Sequence, residues 1–255
     1  MINEVVLIGA GNVATYMGNA LQANGVQVVF VLSQSLESAQ RLGQQLNTEY
    51  SANIADLPVK SDLYIIAVSD DAIKKLANQM DVTGLVVHTS GTLDVEVISN
   101  FPEIGVFYPL QTFSMSNPLQ NEEFPICVEA TSSDNLYHLK ELAARLVGIE
   151  SVYKLNSKQR KAVHLAAVFA SNYSNHMYQI AEELLKKENL DLDILRPLIV
   201  ETAEKVKRMS PKDAQTGPAK RGDIKVMGDH MQELEGEPDY KALYEMIGNS
   251  IVKRK

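Results

Sequence analysis

The sequence predicts an α/β domain with a doubly wound, mostly parallel sheet, followed by an all-α helical domain. Short apolar runs of strand length alternate with helical patterns through the first half of the chain. A glycine-rich turn connects the first of these runs to the first helix. From about residue 157, β-branched runs no longer recur and apolar residues follow helical spacing. The two halves are expected to meet near residues 148–156, which gives domains 1–152 and 153–255.

The predicted elements follow one another at regular intervals. Strands are expected at 4–8, 26–32, 63–68, 85–88, 105–108 and 126–129. Helices are expected between or after them at 12–24, 35–46, 71–80, 93–99 and 133–147. The second half is expected to hold long helical segments at 158–187, 193–208, 224–235 and 239–253. Because helices separate most of the strands, parallel crossover connections are favoured.

Composition narrows the class of protein. The chain has 255 residues, 45% hydrophobic and 22% charged, as in ordinary globular proteins. Its net charge of −8 argues against a sequence-independent nucleic-acid binder, which needs lysine and arginine to neutralise phosphates. No stretch approaches the roughly 20 apolar residues of a membrane span, and no signal peptide precedes the first strand. We therefore expect a cytoplasmic protein with neither a nucleic-acid nor a membrane partner.

Cysteine and histidine usage offers no metal site. Cys127 is the only cysteine, so a disulfide within the chain and a cysteine metal cluster are both excluded. It lies in an apolar run and is expected to pack inside a strand. The five histidines show no tight ligand spacing. No metal is predicted.

The turn after the first strand reads GAGNVA, residues 9–14. Gly9 allows a tight turn, Gly11 lets backbone amides approach a pyrophosphate, and Ala14 lets helix and strand pack closely. The following helix directs its N-terminus, including Asn12 and Val13, at negative phosphate. A glycine turn with a purely structural role is the alternative. The position of the motif between an apolar strand and an amphipathic helix predicts a Rossmann domain that binds a dinucleotide.

The end of the second strand bears on the choice of cofactor. NAD enzymes place an acidic residue there for the ribose hydroxyls, whereas this strand ends in Ser33, Gln34 and Ser35. No carboxylate repels a 2′-phosphate, and these side chains can hydrogen-bond one. NADP is therefore favoured over NAD, although the arginine usually expected beside the phosphate is absent and Arg41 is only a candidate substitute.

Later strand ends should line the same crevice, because ligands of open α/β sheets bind at the carboxyl ends of the strands. This rule selects Val68, Ser69 and Thr89 for the cofactor, and His88 and Ser90 for catalysis. Turn and capping chemistry is the alternative for the hydroxyl residues. His88 could equally be a hydrogen-bonded residue at a strand end.

Four further motifs follow the glycine turn in order: VHTSG at 87–91, YPLQTF at 108–113, HLAAVFASNY at 164–173 and TGPAKRGD at 216–223. With them the chain resembles the predicted NADP oxidoreductases that pair a Rossmann-like domain with a helical domain of unknown function, of the DUF2520 type. It is more distantly similar to pyrroline-5-carboxylate reductase, deazaflavin-dependent NADP reductase and the 6-phosphogluconate dehydrogenase group. In those relatives the helical domains commonly dimerise, so the resemblance implies a homodimer. Relatives often carry histidine where this chain has Tyr108.

The helix from residue 158 carries the candidate active site. His164 and Asn172 share one face at helical spacing, beside Lys161 and Asn175. Buried histidine and asparagine need hydrogen-bond partners, so they form either a structural network or a site. Histidine can exchange a proton near neutral pH and asparagine can orient a carbonyl or imine.

Arg221 lies in a loop with adjacent basic residues, where it either holds an anionic substrate or belongs to a capped turn. The leading hypothesis is an NADP-dependent oxidoreductase acting on a small carbonyl, imine or hydroxy compound. The alternative is a non-catalytic NADP-binding sensor or assembly module, because fold alone does not determine function.

Overall fold

The computed structural model describes residues 1–114 and 124–254. Their contacts group into two compact units, Met1–Asn172 and Tyr173–Lys255. The first unit holds the sheet and the second is helical, so the predicted fold class is confirmed.

An eight-stranded sheet forms the centre of the first unit, in the order β3-β2-β1-β4-β5-β6-β7-β8. The strands are β1 (Glu4–Ile8), β2 (Gln27–Leu32), β3 (Glu49–Ser51), β4 (Lys60–Ile66), β5 (Thr83–His88), β6 (Ile104–Pro109), β7 (Ile126–Ala130) and β8 (Val152–Lys154). Strands β1 to β6 pair in parallel, β7 pairs antiparallel with β6, and β8 pairs in parallel with β7. The strand order reverses at β1, between β2 and β4. In this class of sheet the crevice at that switch point binds the ligand.

Helices cover the sheet on both faces. Those of the first unit are α1 (Asn12–Ala23), α2 (Leu36–Gln45), α3 (Asp70–Ala77), α4 (Ser133–Val147) and α5 (Ser157–Ala167). Successive residues of a strand point to opposite faces, so Val5 and Leu7 of β1 enter one apolar cluster while Val6 and Ile8 enter the other. Burial on both faces explains why this strand reads as a continuous apolar run.

Some local structure departs from the sequence expectations. Strands β3 and β8 were not expected; each has three residues, too short to show a period of two. The helix expected at 93–99 is a 3₁₀ helix, Val95–Ile98. The helical segment expected at 158–187 is present, with a π-helical stretch, Val168–Tyr173, between two α-helical stretches that the sequence did not separate. Although α5 groups with the first unit, the domain boundary at residue 152 stays a prediction.

The second unit consists of α6 (Ser174–Lys187), α7 (Arg196–Arg208), α8 (Pro211–Ala214), α9 (Pro218–Arg221), α10 (Ile224–Glu233) and α11 (Pro238–Lys253). Asp223 caps α10 by accepting a hydrogen bond from the Val226 amide at 3.2 Å, as the sequence predicts. Of residues 173–254, three are buried: Ala219, Leu234 and Gly248. Among the helices of the described residues, none is long and apolar enough to cross a membrane.

Candidate active site

A cavity of about 800 Å³ lies at the carboxyl ends of β1, β2, β4 and β5. Nine of the ten predicted cofactor-binding residues line it: Gly9, Gly11, Asn12, Val13, Ser33, Gln34, Val68, Ser69 and Thr89. The tenth, Ser35, caps α2 instead, because its hydroxyl accepts a hydrogen bond from the Ser38 amide at 3.4 Å. The volume falls within the range of about 300–1,000 Å³ typical of small-molecule and cofactor sites.

The glycine turn matches what a pyrophosphate requires. Gly9 has a φ of +119°, and a Cβ there would overlap the carbonyl oxygen of Ala67. A Cβ at Gly11 would meet no atom within 4 Å. Gly11 is the N-cap of α1, and the first turn of α1 contains no acidic residue. The positive end of this helix therefore has room and electrostatic freedom for a dinucleotide's phosphates.

The charged groups near the end of β2 are arranged differently from the sequence expectation. The Arg41 guanidinium donates a 2.6 Å hydrogen bond to the carbonyl oxygen of Ala10, inside the glycine turn. Lys75 of α3 lines the cavity, which the sequence analysis did not anticipate. The cavity-lining residues of α3 are Ala72, Lys75, Leu76 and Gln79, whose helical spacing is the signal that could have revealed it.

A second cavity, of about 330 Å³, adjoins the first. Val13 and Thr89 line both cavities, so the two meet at the carboxyl ends of β1 and β5. His164 and Asn172 both line the second cavity, His164 from α5 and Asn172 from the π-helical segment after it. Gln111, which follows β6, lines it as well.

Tyr108 lines the second cavity and is paired with His164. Its hydroxyl is hydrogen-bonded to His164 Nδ1 at 3.0 Å, and the two rings meet edge to face. Burial raises the pKa of Tyr108 to about 12, so the phenol is neutral at physiological pH. Tyr108 is not among the residues predicted from sequence to be catalytic, although its position at a strand end is a signal that could have revealed it.

His88 and Ser90 are buried and line neither cavity. His88 is fully buried, with Nδ1 accepting from the Ser90 amide at 3.2 Å and Nε2 hydrogen-bonded to the Asp94 carbonyl oxygen at 3.3 Å. Burial, followed by the charge of Arg160, lowers the pKa of His88 to about 4. These contacts are those of a hydrogen-bonded residue at a strand end, which is the alternative to a catalytic role. Catalysis by His88 stays a prediction.

The Ser90 hydroxyl accepts hydrogen bonds from the amides of Thr92 and Leu93, at 3.1 and 3.0 Å. This is turn chemistry, the alternative considered for it. Arg221 is exposed at the end of α9, in the helical unit. The predicted roles of Ser90 in catalysis and of Arg221 in holding an anionic substrate stay predictions.

A buried arginine anchors α5 one turn before His164. Arg160 is 1% exposed, and its guanidinium contacts the Glu129 carboxylate, the Leu93 carbonyl oxygen and the Ser157 hydroxyl. Lys161, which the sequence placed beside the His164 face, donates to the Asp94 carboxylate at 2.8 Å. The anchor joins α5 to β7 and to the loop after β5.

The π-helical segment Val168–Tyr173 follows directly on α5. Ala170, Ser171 and Asn172 within it all line the second cavity. Such π-bulges occur frequently at functional sites, because the widened turn redirects side chains. In the described part of the chain, no group of three or more histidine, cysteine, aspartate or glutamate side chains is arranged to hold a metal ion.

Comparison with known families agrees with this architecture. Residues 2–112 match the model of a Rossmann-like domain, and residues 124–251 match a domain of unknown function, DUF2520. Together these define a Rossmann-like protein with a helical C-terminal domain. The chain belongs to the DUF2520 family, as its resemblance in sequence motifs predicts.

Solved structures extend the comparison. A Bacteroides fragilis protein named "putative NADP oxidoreductase" is 41% identical, with a TM-score of 0.90 over 99% of this chain and 98% of its own. A Thermotoga maritima protein is 22% identical, with a TM-score of 0.82 over 98% of each chain. The pyrroline-5-carboxylate reductase of Streptococcus pyogenes is 13% identical, with a TM-score of 0.63 over 98% of each chain, and shares the fold. No functionally curated protein matches the chain.

Proposed function

We propose that the chain is an NADP-dependent oxidoreductase that exchanges a hydride between nicotinamide and a small carbonyl, imine or hydroxy compound. The observation that carries the proposal is the adjacency of the two cavities at Val13 and Thr89. The larger has the glycine turn of a dinucleotide site, and the smaller contains a histidine and an amide. The name of the 41% identical Bacteroides fragilis protein supports the same class of reaction.

The dinucleotide, when bound, supplies the hydride acceptor or donor. The chain's own residues would bind the cofactor, orient the substrate and move a proton. Gly9, Gly11 and the N-terminus of α1 would hold the pyrophosphate. Asn172 would orient a carbonyl or imine through its amide, and His164 would supply a group able to move a proton.

A preference for NADP is supported by the end of β2. Ser33 and Gln34 line the larger cavity and bring no carboxylate to repel a 2′-phosphate. Lys75 adds a cationic side chain to the same cavity, and Arg41 is held at the glycine turn. Hydroxyl, amide and cationic groups are the usual donors to a phosphate.

We also propose a homodimer formed through the helical domain. With three buried residues in 173–254, this unit leaves many large apolar side chains in solvent. The most exposed include Ile194 at 65%, Leu198 at 62%, Ile224 at 83% and Met246 at 70%. An excess of exposed apolar side chains on a globular unit supports an interaction site, and a second copy of the chain is the occupant that symmetry favours.

Turnover is the test of the proposed function. NADPH fluorescence would be followed while a panel of aldehydes, ketones, keto acids and cyclic imines is added to the protein. We expect at least one class to oxidise NADPH at a rate proportional to protein concentration. Tight NADPH binding without turnover of any compound would contradict the proposal and favour a cofactor sensor.

A further inference from the structure

We propose that Tyr108 is the group that exchanges a proton with the substrate oxygen, and that His164 orients its hydroxyl and restores its proton. This inference rests on the proposed oxidoreductase function. It changes the assignment made from sequence, in which His164 acts on the substrate directly and Tyr108 has no role.

The geometry supports a role for the Tyr108 phenol at the smaller cavity. Tyr108 lies at the carboxyl end of β6 and lines the smaller cavity. Val13 and Thr89 line the same cavity and are shared with the larger one, which contains the glycine turn. His164 approaches from α5, with its Nδ1 3.0 Å from the Tyr108 hydroxyl. In this arrangement His164 Nδ1 is hydrogen-bonded to the phenol. A proton held on Nδ1 would therefore reach a substrate through the Tyr108 hydroxyl.

The hydrogen-bonding capacity of the two groups allows a proton to pass from His164 through Tyr108 to a substrate oxygen. When His164 Nδ1 carries hydrogen and donates it to the phenolic oxygen, the phenolic hydrogen is free to point into the cavity. As a hydride adds to the carbonyl carbon of the substrate, the carbonyl π pair moves to oxygen and takes the Tyr108 proton. The Nδ1 hydrogen of protonated His164 then moves to the phenolate, and His164 regains a proton from water.

The reverse reaction uses the same pair. An alcohol substrate would release its hydroxyl proton to Tyr108 while Tyr108 passes its own to neutral His164, and the oxidised dinucleotide of the proposed function would accept the hydride of the carbinol carbon. A neutral phenol with a pKa near 12 is a weak base by itself. Histidine is the residue type suited to exchange that proton with water near neutral pH.

Gly91 supports the pair from the loop after β5. A Cβ built there would lie 2.5 Å from His164 Nδ1 and 2.9 Å from Tyr108 Cζ. Both distances are too short for a real contact, so an alanine would displace the imidazole, the phenol or both. Gly91 is therefore a positioning residue, and its substitution perturbs the pair without removing either group.

A second tyrosine and histidine pair in the helical unit provides a matched control. The Tyr244 hydroxyl is 2.8 Å from His230 Nδ1, and the rings also meet edge to face. Tyr244→Phe deletes the same kind of hydrogen bond as Tyr108→Phe, at a tyrosine that lines neither of the two cavities. Each substitution removes one hydroxyl group and leaves the aromatic ring in place.

The pairing is tested first in the cofactor-free protein, by NMR of the imidazole nitrogens with ¹⁵N-labelled histidine. There are five histidines, and the signals of His164 are assigned from the His164→Gln variant. Tyr108→Phe and Gly91→Ala should each shift the Nδ1 resonance of His164, whereas Tyr244→Phe should shift that of His230. An unchanged His164 signal in Tyr108→Phe would overturn the proposal without bearing on the oxidoreductase function.

The catalytic role is tested on whichever panel compound the wild type reduces. Tyr108→Phe should lower kcat by about 10²–10⁴-fold, as expected for loss of general acid catalysis. Its affinity for NADPH should stay within about threefold, because Tyr108 need not touch the pyrophosphate. Gly91→Ala should also lower kcat, and Tyr244→Phe should not.

Retention of wild-type kcat by Tyr108→Phe would remove Tyr108 from the reaction while leaving the proposed function intact. Failure of the wild type to turn over any panel compound would overturn the proposed function, and this inference with it. Should Gly91→Ala not fold, Tyr108→Phe still decides the assignment, because it removes one oxygen atom and adds no bulk.

Discussion

A substitution of Gly11 tests whether the glycine turn binds a pyrophosphate. Gly11 is the N-cap of α1 with φ −80° and ψ −170°, a conformation open to any residue, and no atom lies within 4 Å of a Cβ placed there. Aspartate is a favoured N-cap residue, better than glycine by a few tenths of a kcal/mol. Gly11→Asp should therefore leave the melting temperature unchanged to within about 2 °C.

The same change should strongly weaken cofactor binding. A carboxylate at the N-terminus of α1 would lie about 5 Å from a pyrophosphate bound to that turn, and two like charges at that distance repel by about 3 kcal/mol at an effective dielectric of about 20. That energy corresponds to a loss of at least ~100-fold in affinity. Because NADPH and NADH share the pyrophosphate, both should be affected equally.

Calorimetric titration with both cofactors, together with thermal unfolding, would measure the two effects. Gly11→Asn is the matched control, because asparagine has nearly the same size and capping ability but no charge. It should bind more tightly than Gly11→Asp, and the difference reports the electrostatic contribution. If Gly11→Asp melts like the wild type and binds NADPH with wild-type affinity, the pyrophosphate does not lie at this turn.

Four further predictions follow from the site and the fold. NADPH should bind at least several-fold tighter than NADH in calorimetry, and equal affinities would contradict the proposed role of the β2 end. His164→Ala and Asn172→Ala should lower kcat while NADPH affinity stays within a few-fold; a loss of about 1–3 kcal/mol in stability with unchanged activity would instead indicate a structural role. Sedimentation at micromolar concentration should give a dimer, and a monomer would refute the helical interface. The pKa of His88 is lowered from 6.5 to about 4, so the unfolded chain takes up this proton first as the pH falls. His88 should therefore contribute about 3 kcal/mol to the free energy of unfolding above pH 6.5, and this contribution should be lost as the pH falls towards 4. In urea unfolding, the free energy of unfolding should fall more steeply with decreasing pH in the wild type than in His88→Gln. The same pH dependence in both proteins would refute this role of His88.

Much of the fold follows from local signals in the sequence. Three local signals lie within one stretch of chain: the apolar run of β1, the glycines of the turn after it and the periodicity of α1. Each determines the structure of the element in which it occurs. The cap of α10 by Asp223 is equally local, because the donor lies three residues further on. Such features can be predicted because the interacting residues are close together in sequence.

The candidate site depends on contacts that are distant in sequence. Tyr108 and His164 are 56 residues apart and meet because β6 and α5 are brought together. Arg160, by the same means, reaches the carboxylate of Glu129 on β7. Neither partner could be identified from spacing alone, since the register of β6 and β7 and the placement of α5 determine which side chains face one another.

The sequence by itself determined the fold class and the location of the glycine turn, because periodicity and glycine requirements act within single elements. Tertiary structure alone decided that His88 is buried and lines neither cavity, and that Tyr108 and His164 meet at the second cavity. A side chain at a strand end can point into a crevice or beneath it, and the packing around that strand selects one of the two.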